Sequence, residues 1–195
     1  SSSYKRINKL TFADLIYFEQ VNLTENIEFI DPKAFLKSEM IKSYNIIGTN
    51  ANFKSINGIL HSIDGTHLIR FPPFKRIDYP GLKFEETVTT IDEYAFSYAS
   101  DINVLSIPDS IVELKEGAFY GSSLTLFRSF GLKSVGKYAF SGSSYLTDVN
   151  FDYLPEIPEG LFYECPRLEI IDFGSSNITT IGDYAFAECY WAEEI

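Results

Sequence analysis

At 195 residues, with 45% hydrophobic and 22% charged side chains, the chain has the length and balance of a folded protein with a substantial core. Twenty-seven acidic against 16 basic residues give a formal charge of -11, which excludes nucleic acid and anionic membrane surfaces as partners and fits basic partners, bound cations or simple solubility. No apolar run approaches the roughly 20 residues of a membrane span, and the opening "SSSYKR" has no hydrophobic segment of signal type, so no direct membrane insertion is expected in this segment.

In chain order, Phe12 opens a weak copy of a phrase, and Phe18, Val21 and Leu23 follow it at six, nine and eleven places. The phrase is clearer as "IDPKAF" at 30–35, followed at the same places by Ile41, Tyr44 and Ile46. This L-x-x-L-x-L spacing ends in period-two alternation and predicts a short strand with one side chain in and the next out. An irregular segment then interrupts the pattern at about 48–78. Within it "ILHSI" and "THLIRF" flank Asp64-Gly65, a pair favoured in two-residue turns, which predicts one inserted β-hairpin. Leu82 and Phe84 restore the strand, and "IDEYAF" at 91–96 restores the phrase.

From there the repetition is regular. "LKEGAF" stands at 114–119, "VGKYAF" at 135–140, "IPEGLF" at 157–162 and "IGDYAF" at 181–186. Leu146, Val149 and Phe151, then Leu168, Ile171 and Phe173, repeat the strand spacing, and a second apolar pair precedes each phrase, as in Val88 with Ile91 or Ile111 with Leu114. The closing Phe falls at 35, 96, 119, 140, 162 and 186, so four of the five separations lie between 21 and 24 residues. A period of this length means stacked coils, each too small to bury its apolar edge alone. The Phe forms a spine and the preceding Ala leaves room for it. The chain stops at "CYWAEEI", partway into a further coil, and does not begin with Met, so it reads as a fragment of a longer array.

With several copies in register, "VLSIPDSIVELKEGAF" at 104–119 and "IGDYAFAEC" at 181–189 resemble the BspA-like leucine-rich repeats. The expected fold is a single α/β-type leucine-rich-repeat solenoid of about seven to eight coils over 1–195. It has a parallel β-sheet on the concave face, irregular or short helical turns on the convex face and the inserted hairpin. The resemblance also implies a non-catalytic cell-surface or secreted adhesion module that attaches to host-cell or matrix proteins. An intracellular scaffold holding a regulatory protein is the alternative, and end-to-end contact between chains is a further possibility for its ends.

Candidate chemistry is sparse, and no cofactor is expected. Cys165 and Cys189 each stand three places after a spine Phe, where Ser38, Ala99, Ser122 and Ser143 occur in other copies. They read as stacked buried thiols in a small-residue column, with a disulfide between coils conceivable on distance alone. His61 and His67 are expected on opposite faces of the hairpin and so do not form a metal set. Glu85-Glu86 and Glu193-Glu194 read as solvated charges, and no nucleophile, phosphate-loop or metalloprotease motif occurs. Asn22 and Asn177 head glycosylation acceptor triplets, and a glycan on outward-facing Asn22 would obstruct the sheet.

Outward strand positions form columns on the sheet. One holds Asn22, Asn45, Lys83, Ser106, Arg128, Asn150 and Asp172, and its neighbour holds Gln20, Ser43, Val104, Leu126, Asp148 and Ile170. Lys42, Lys83 and Arg128 lie early or midway, while Asp148, Glu169 and Asp172 gather late, so a basic partner would prefer the C-terminal half. The expected partner-binding residues are Asn22, Asn45, Lys83, Ser106, Arg128, Asp148, Asn150, Glu169 and Asp172.

Overall fold

The computed structural model describes residues 4–78 and 81–192. In chain order it runs through β1 (Arg6–Ile7), β2 (Gln20–Thr24), β3 (Phe29–Ile30) and β4 (Ser43–Ile47), then β5 (Phe53–Ile56), β6 (Ile59–Ser62) and β7 (His67–Arg70). The regular part contains β8 (Thr90–Ile91), β9 (Val104–Ser106), β10 (Glu113–Leu114), β11 (Leu126–Ser129) and β12 (Ser134–Val135). It ends with β13 (Asp148–Phe151), β14 (Glu156–Ile157), β15 (Ile170–Asp172) and β16 (Thr180–Ile181). Most coils contribute a longer strand where the L-x-x-L-x-L spacing lies and a short strand at the second apolar pair, although residues 82–84 form no strand. Two faces of the solenoid are therefore sheeted. The short-strand sheet went unforeseen because two residues are too few to show a period.

The spine forms as the spacing predicts. Phe12 stacks on Phe35, and Phe96, Phe119, Phe140, Phe162 and Phe186 stack in succession with ring centroids 5.0–5.7 Å apart. Phe71 supplies the missing member inside the irregular segment, 4.8 Å from Phe96. Phe96, Phe119, Phe140 and Phe162 are wholly buried, so truncating any one to Ala removes about 3–5 kcal/mol of stability. The turns carry the backbone across the stack: Phe96 N–H donates to Ala118 O at 2.7 Å, Phe119 to Ala139 at 2.7 Å and Phe162 to Ala185 at 2.8 Å.

No helix occurs among the described residues, and the expected helical turns are corrected to runs of tight turns. At most of the spine Phe residues, the residues two before and two after are left-handed. Leu10 and Asp14, Tyr94 and Tyr98, Tyr138 and Gly142, Gly160 and Glu164, and Tyr184 and Glu188 all have φ between 55° and 71°. A left-handed residue at every fourth position breaks the i to i−4 bonding of an α-helix. The position two before the Phe also alternates: Tyr94, Gly117, Tyr138, Gly160, Tyr184. A Cβ on Gly117 would meet the Tyr94 ring at 2.6 Å, and one on Gly160 would meet the Tyr138 ring at 2.2 Å. Each tyrosine thus covers the glycine of the following coil and donates its hydroxyl to the neighbouring glutamate, Tyr94 to Glu116 at 2.8 Å and Tyr138 to Glu159 at 2.6 Å.

The expected single long sheet is corrected to two pieces, β2–β4 and β9–β11–β13–β15. The irregular segment separates them. It is a three-stranded antiparallel meander rather than one hairpin, because Asn57-Gly58, with φ of 52° and 79°, makes the two-residue turn between β5 and β6. Asp64-Gly65 lies instead in the four-residue connection 63–66. There the Asp64 carboxylate accepts from Ser62 Oγ, Thr66 N and Thr66 Oγ1, which widens the loop and holds its pKa down to about 2. The meander joins the short-strand sheet through β7, which pairs parallel with β8, and caps the longer-strand side of β4 through the Tyr44 N to Gly58 O bond at 2.8 Å. Two buried core clusters result, one around Phe35 and Tyr44 and the other beginning with Ile59, Leu68 and Phe71 and running through the later coils.

Arg70, only 4% exposed, bridges these clusters. Its guanidinium donates to Phe35 O at 3.4 Å, to Tyr44 Oη at 3.4 Å and to Tyr94 O. A second interruption falls between β12 and β14 in the short-strand sheet. Lys133, Ser134 and Gly136 donate N–H bonds to the preceding coil, and the matching places one period later hold Pro155, Glu156 and Pro158. Proline has no N–H to give, so the ladder stops there.

Candidate functional site

The longer-strand sheet from β9 to β15 presents the predicted columns in register. Val104, Leu126, Asp148 and Ile170 are consecutive ladder partners, as are Ser106, Arg128, Asn150 and Asp172. Parallel pairing stacks like positions because each coil has the same path, while alternate residues Leu105, Phe127 and Val149 point into the core. In the first piece, Gln20 pairs with Ser43 and Asn22 with Asn45, whose amide donates to Asn22 Oδ1 at 3.0 Å.

One column is apolar apart from Asp148: Val104 is 69% and Ile170 57% exposed, beside half-buried Leu126. Phe130, 56% exposed, lines the same shallow hollow of about 230 Å³ with Leu126, Arg128, Asp148, Ile170 and Asp172. The sequence reading missed Phe130 because it lies one residue beyond β11, outside the strand alternation, although an aromatic next to Ser129 and Gly131 in a turn was the available signal.

Polar groups here are oriented. Asn150 Nδ2 donates to Asp172 Oδ2 at 2.6 Å while Gly174 N–H holds the other carboxylate oxygen at 2.8 Å. Asp148 Oδ2 accepts from Thr147 Oγ1. No ion pair among the described residues engages exposed Arg128. A cation without a carboxylate partner, exposed aliphatic and aromatic side chains and fixed carboxylates are the parts from which a protein-binding surface is assembled.

Other predicted residues fall elsewhere. Lys83 is exposed between inward Leu82 and Phe84, but residues 82–84 form no strand and pair with nothing, so Lys83 stands outside the ladder. Lys42 is 2.7 Å from Glu19 and is neutralised locally. Glu169 precedes β15 and borders a different recess with Tyr190 and Trp191. Exposed Asn177 lies in the connection between β15 and β16, outside both strands, and Asn22 is exposed on β2. Glu193 and Glu194 lie outside the described residues.

Both cysteines are free. Cys165 Sγ–H donates to Phe140 O and Cys189 Sγ–H to Phe162 O, each at 3.1 Å, while Ser143 Oγ–H donates to Phe119 O at 3.0 Å. The small-residue column therefore supplies a donor to the spine carbonyl of the preceding coil. Burial raises both thiol pKa values and keeps the sulfur protonated. His61 pairs with Leu68 across the ladder, so His67 projects from the other face, where its Nδ1 sits 2.8 Å from Asp92. Among the described residues no three His, Cys, Asp or Glu side chains gather in a way that could hold a metal ion, and no helix is long and apolar enough to cross a membrane.

The sequence profile of the BspA type leucine-rich repeat region matches six copies, over residues 1–62 and 68–193. No curated protein matches the chain in sequence. A leucine-rich repeat protein from Eubacterium ventriosum superposes with a TM-score of 0.72 at 20% identity, covering 91% of this chain and 54% of its own. The pneumococcal vaccine antigen PcpA gives 0.65 at 20% identity, with 93% and 49% covered. A leucine-rich cell surface protein from Faecalibacterium prausnitzii gives 0.59 at 21%, with 89% and 46% covered. The chain thus spans about half the length of these solved structures, and at this identity the likeness is one of fold.

Proposed function

Since the chain belongs to the BspA-type leucine-rich repeat family, we propose that it is a non-catalytic adhesion module of a surface or secreted protein, attaching to a host-cell or extracellular-matrix protein through its longer-strand sheet. The observation that carries this reading is the pair of registered columns from β9 to β15, in which exposed Val104 and Ile170, with half-buried Leu126 and Asp148 between them, run beside Ser106, Arg128, Asn150 and Asp172. Aligned apolar and charged side chains on a rigid sheet are the kind of extended surface that solenoids use to bind partners. The F. prausnitzii neighbour, itself described as a cell surface protein, supports the location.

Glycans at Asn22 would stand on β2, outside this four-stranded piece, so modification there is compatible with binding at β9–β15. The test is saturable binding of the purified chain to cell-derived extracellular matrix and to intact host cells. Binding that saturates supports the proposal. Absence of binding by a chain with native circular dichroism and a cooperative melt overturns it and favours a scaffold role.

A further inference from the structure

In the short-strand sheet, one place is built for a strand that the chain does not supply. At the other paired junctions, two carbonyls of each coil accept N–H groups from the next: Lys5 and Ile7, Thr66 and Leu68, Thr89 and Ile91, Val112 and Leu114, Pro155 and Ile157. The matching carbonyls of β3, Glu28 and Ile30, receive none among the described residues, and β3 pairs with β1 alone. The meander has replaced the coil that would have covered them. The open edge at β12 differs because Pro155 and Pro158 of the same chain stand in the matching places of the next coil.

Beside the β3 edge lies a groove of about 330 Å³ lined by the Glu28–Pro32 segment, by Phe35, Phe53, Leu60 and Ile69, and by Asp92 and Glu93. Arg70 closes its inner end but is already occupied by carbonyl and hydroxyl oxygens. The apolar floor accepts an aliphatic side chain. On the rim, no ion pair among the described residues engages Asp31, and the cation nearest Glu93, Lys115, is 3.9 Å away.

We propose that this groove binds an extended segment of another protein by strand addition to β3, parallel to it, with an aliphatic residue over Phe53 and Ile69 and a lysine or arginine toward Asp31 and Glu93. Three or four extended residues supply the N–H groups for Glu28 O and Ile30 O and the carbonyl for Ile30 N–H at the alternate spacing these require. The acidic rim selects a basic flank. This site is separate from the β9–β15 columns and stands or falls independently of them.

The test uses the full chain and a capped hexapeptide alternating valine with lysine, followed by NMR chemical-shift perturbation. Two control peptides share its length: one alternating valine with glutamate, and one N-methylated on the amides facing β3. Binding should perturb 28–32, 53, 69 and 93. N-methylation should weaken it about tenfold, the scale of losing one or two main-chain bonds. Glu93→Lys, a change at the half-buried rim, should weaken it several-fold, whereas Arg128→Ala with Asp148→Ala and Asp172→Ala should leave it unchanged. No saturable shifts at millimolar peptide overturn the proposal. So does binding indifferent to N-methylation, since that is adsorption of a cation to an acidic protein.

Discussion

The tyrosine two places before a spine Phe sits where left-handed backbone strains an ordinary side chain, and its ring fills the volume that a Cβ in the next coil would need. At Gly160 the conflict is largest, with the ideal Cβ 2.2 Å from the Tyr138 ring and φ at 59°. Gly160→Ala should destabilise by about 2 kcal/mol. Combining it with Tyr138→Ala should return part of that loss, so a double-mutant cycle from denaturant unfolding should show coupling of about 1 kcal/mol. Strict additivity would mean the ring and the glycine are independent. The alternation itself was in the sequence, but its reason was not, because a spacing of two coils hides behind the stronger period of one.

His61 gives a second prediction at this scale. Burial lowers its pKa, and its Nδ1 lies 3.1 Å from Ile59 O. A histidine depressed in the folded state binds fewer protons folded than unfolded, so stability is full above the unfolded value of about 6.5 and falls as pH drops below it toward the folded value. Thermal melts from pH 7 to pH 5 should therefore decline, and His61→Gln should flatten that decline. An equal slope in the variant would assign it to other groups.

Among the elements, the meander is where the reading from residues was least complete. Asp64-Gly65 was a sound turn signal, yet Ser62 and Thr66 recruit the Asp64 carboxylate into a longer loop, while Asn57-Gly58 makes the tight turn. The expected helical turns give way because left-handed residues recur at every fourth position and the backbone N–H groups of the phrase bond to the neighbouring coil, neither of which a helix permits. Pro155 and Pro158, by contrast, announced the short-strand break to anyone who knew that a second sheet existed.

Arg70 tests how the two core clusters communicate. Arg70→Leu leaves Phe35 O, Tyr44 Oη and Tyr94 O without the donor, and each buried acceptor left unpaired costs roughly 1–3 kcal/mol. Hydrogen exchange should then show β2 and β4 losing protection before β9–β15. Uniform loss across both pieces would mean that the coils unfold as one unit whatever Arg70 does.

For the whole molecule, the period of 21 to 24 residues made the stack of coils legible, and the strand spacing located the columns from β9 to β15 correctly. What periodicity could not convey was continuity. Lys83 matches its column in sequence, yet no ladder forms at 82–84 because the coil before it has been replaced by the meander. The result is a short, well-registered surface rather than one running the length of the chain, with its charge set by Arg128 on β11 and by Asp148 and Asp172 on the two coils that follow.

Binding through that surface is the central claim, and the most direct measurement compares two variants on the same cell-derived matrix. One changes Arg128, Asp148 and Asp172 together to Ala, and the other changes Lys137 and Glu159, an ion pair at 2.7 Å in the convex turns, to Ala. The account predicts at least a tenfold loss of affinity for the first and parent-like binding for the second, with both melting close to the parent. Equal binding by all three proteins would contradict it.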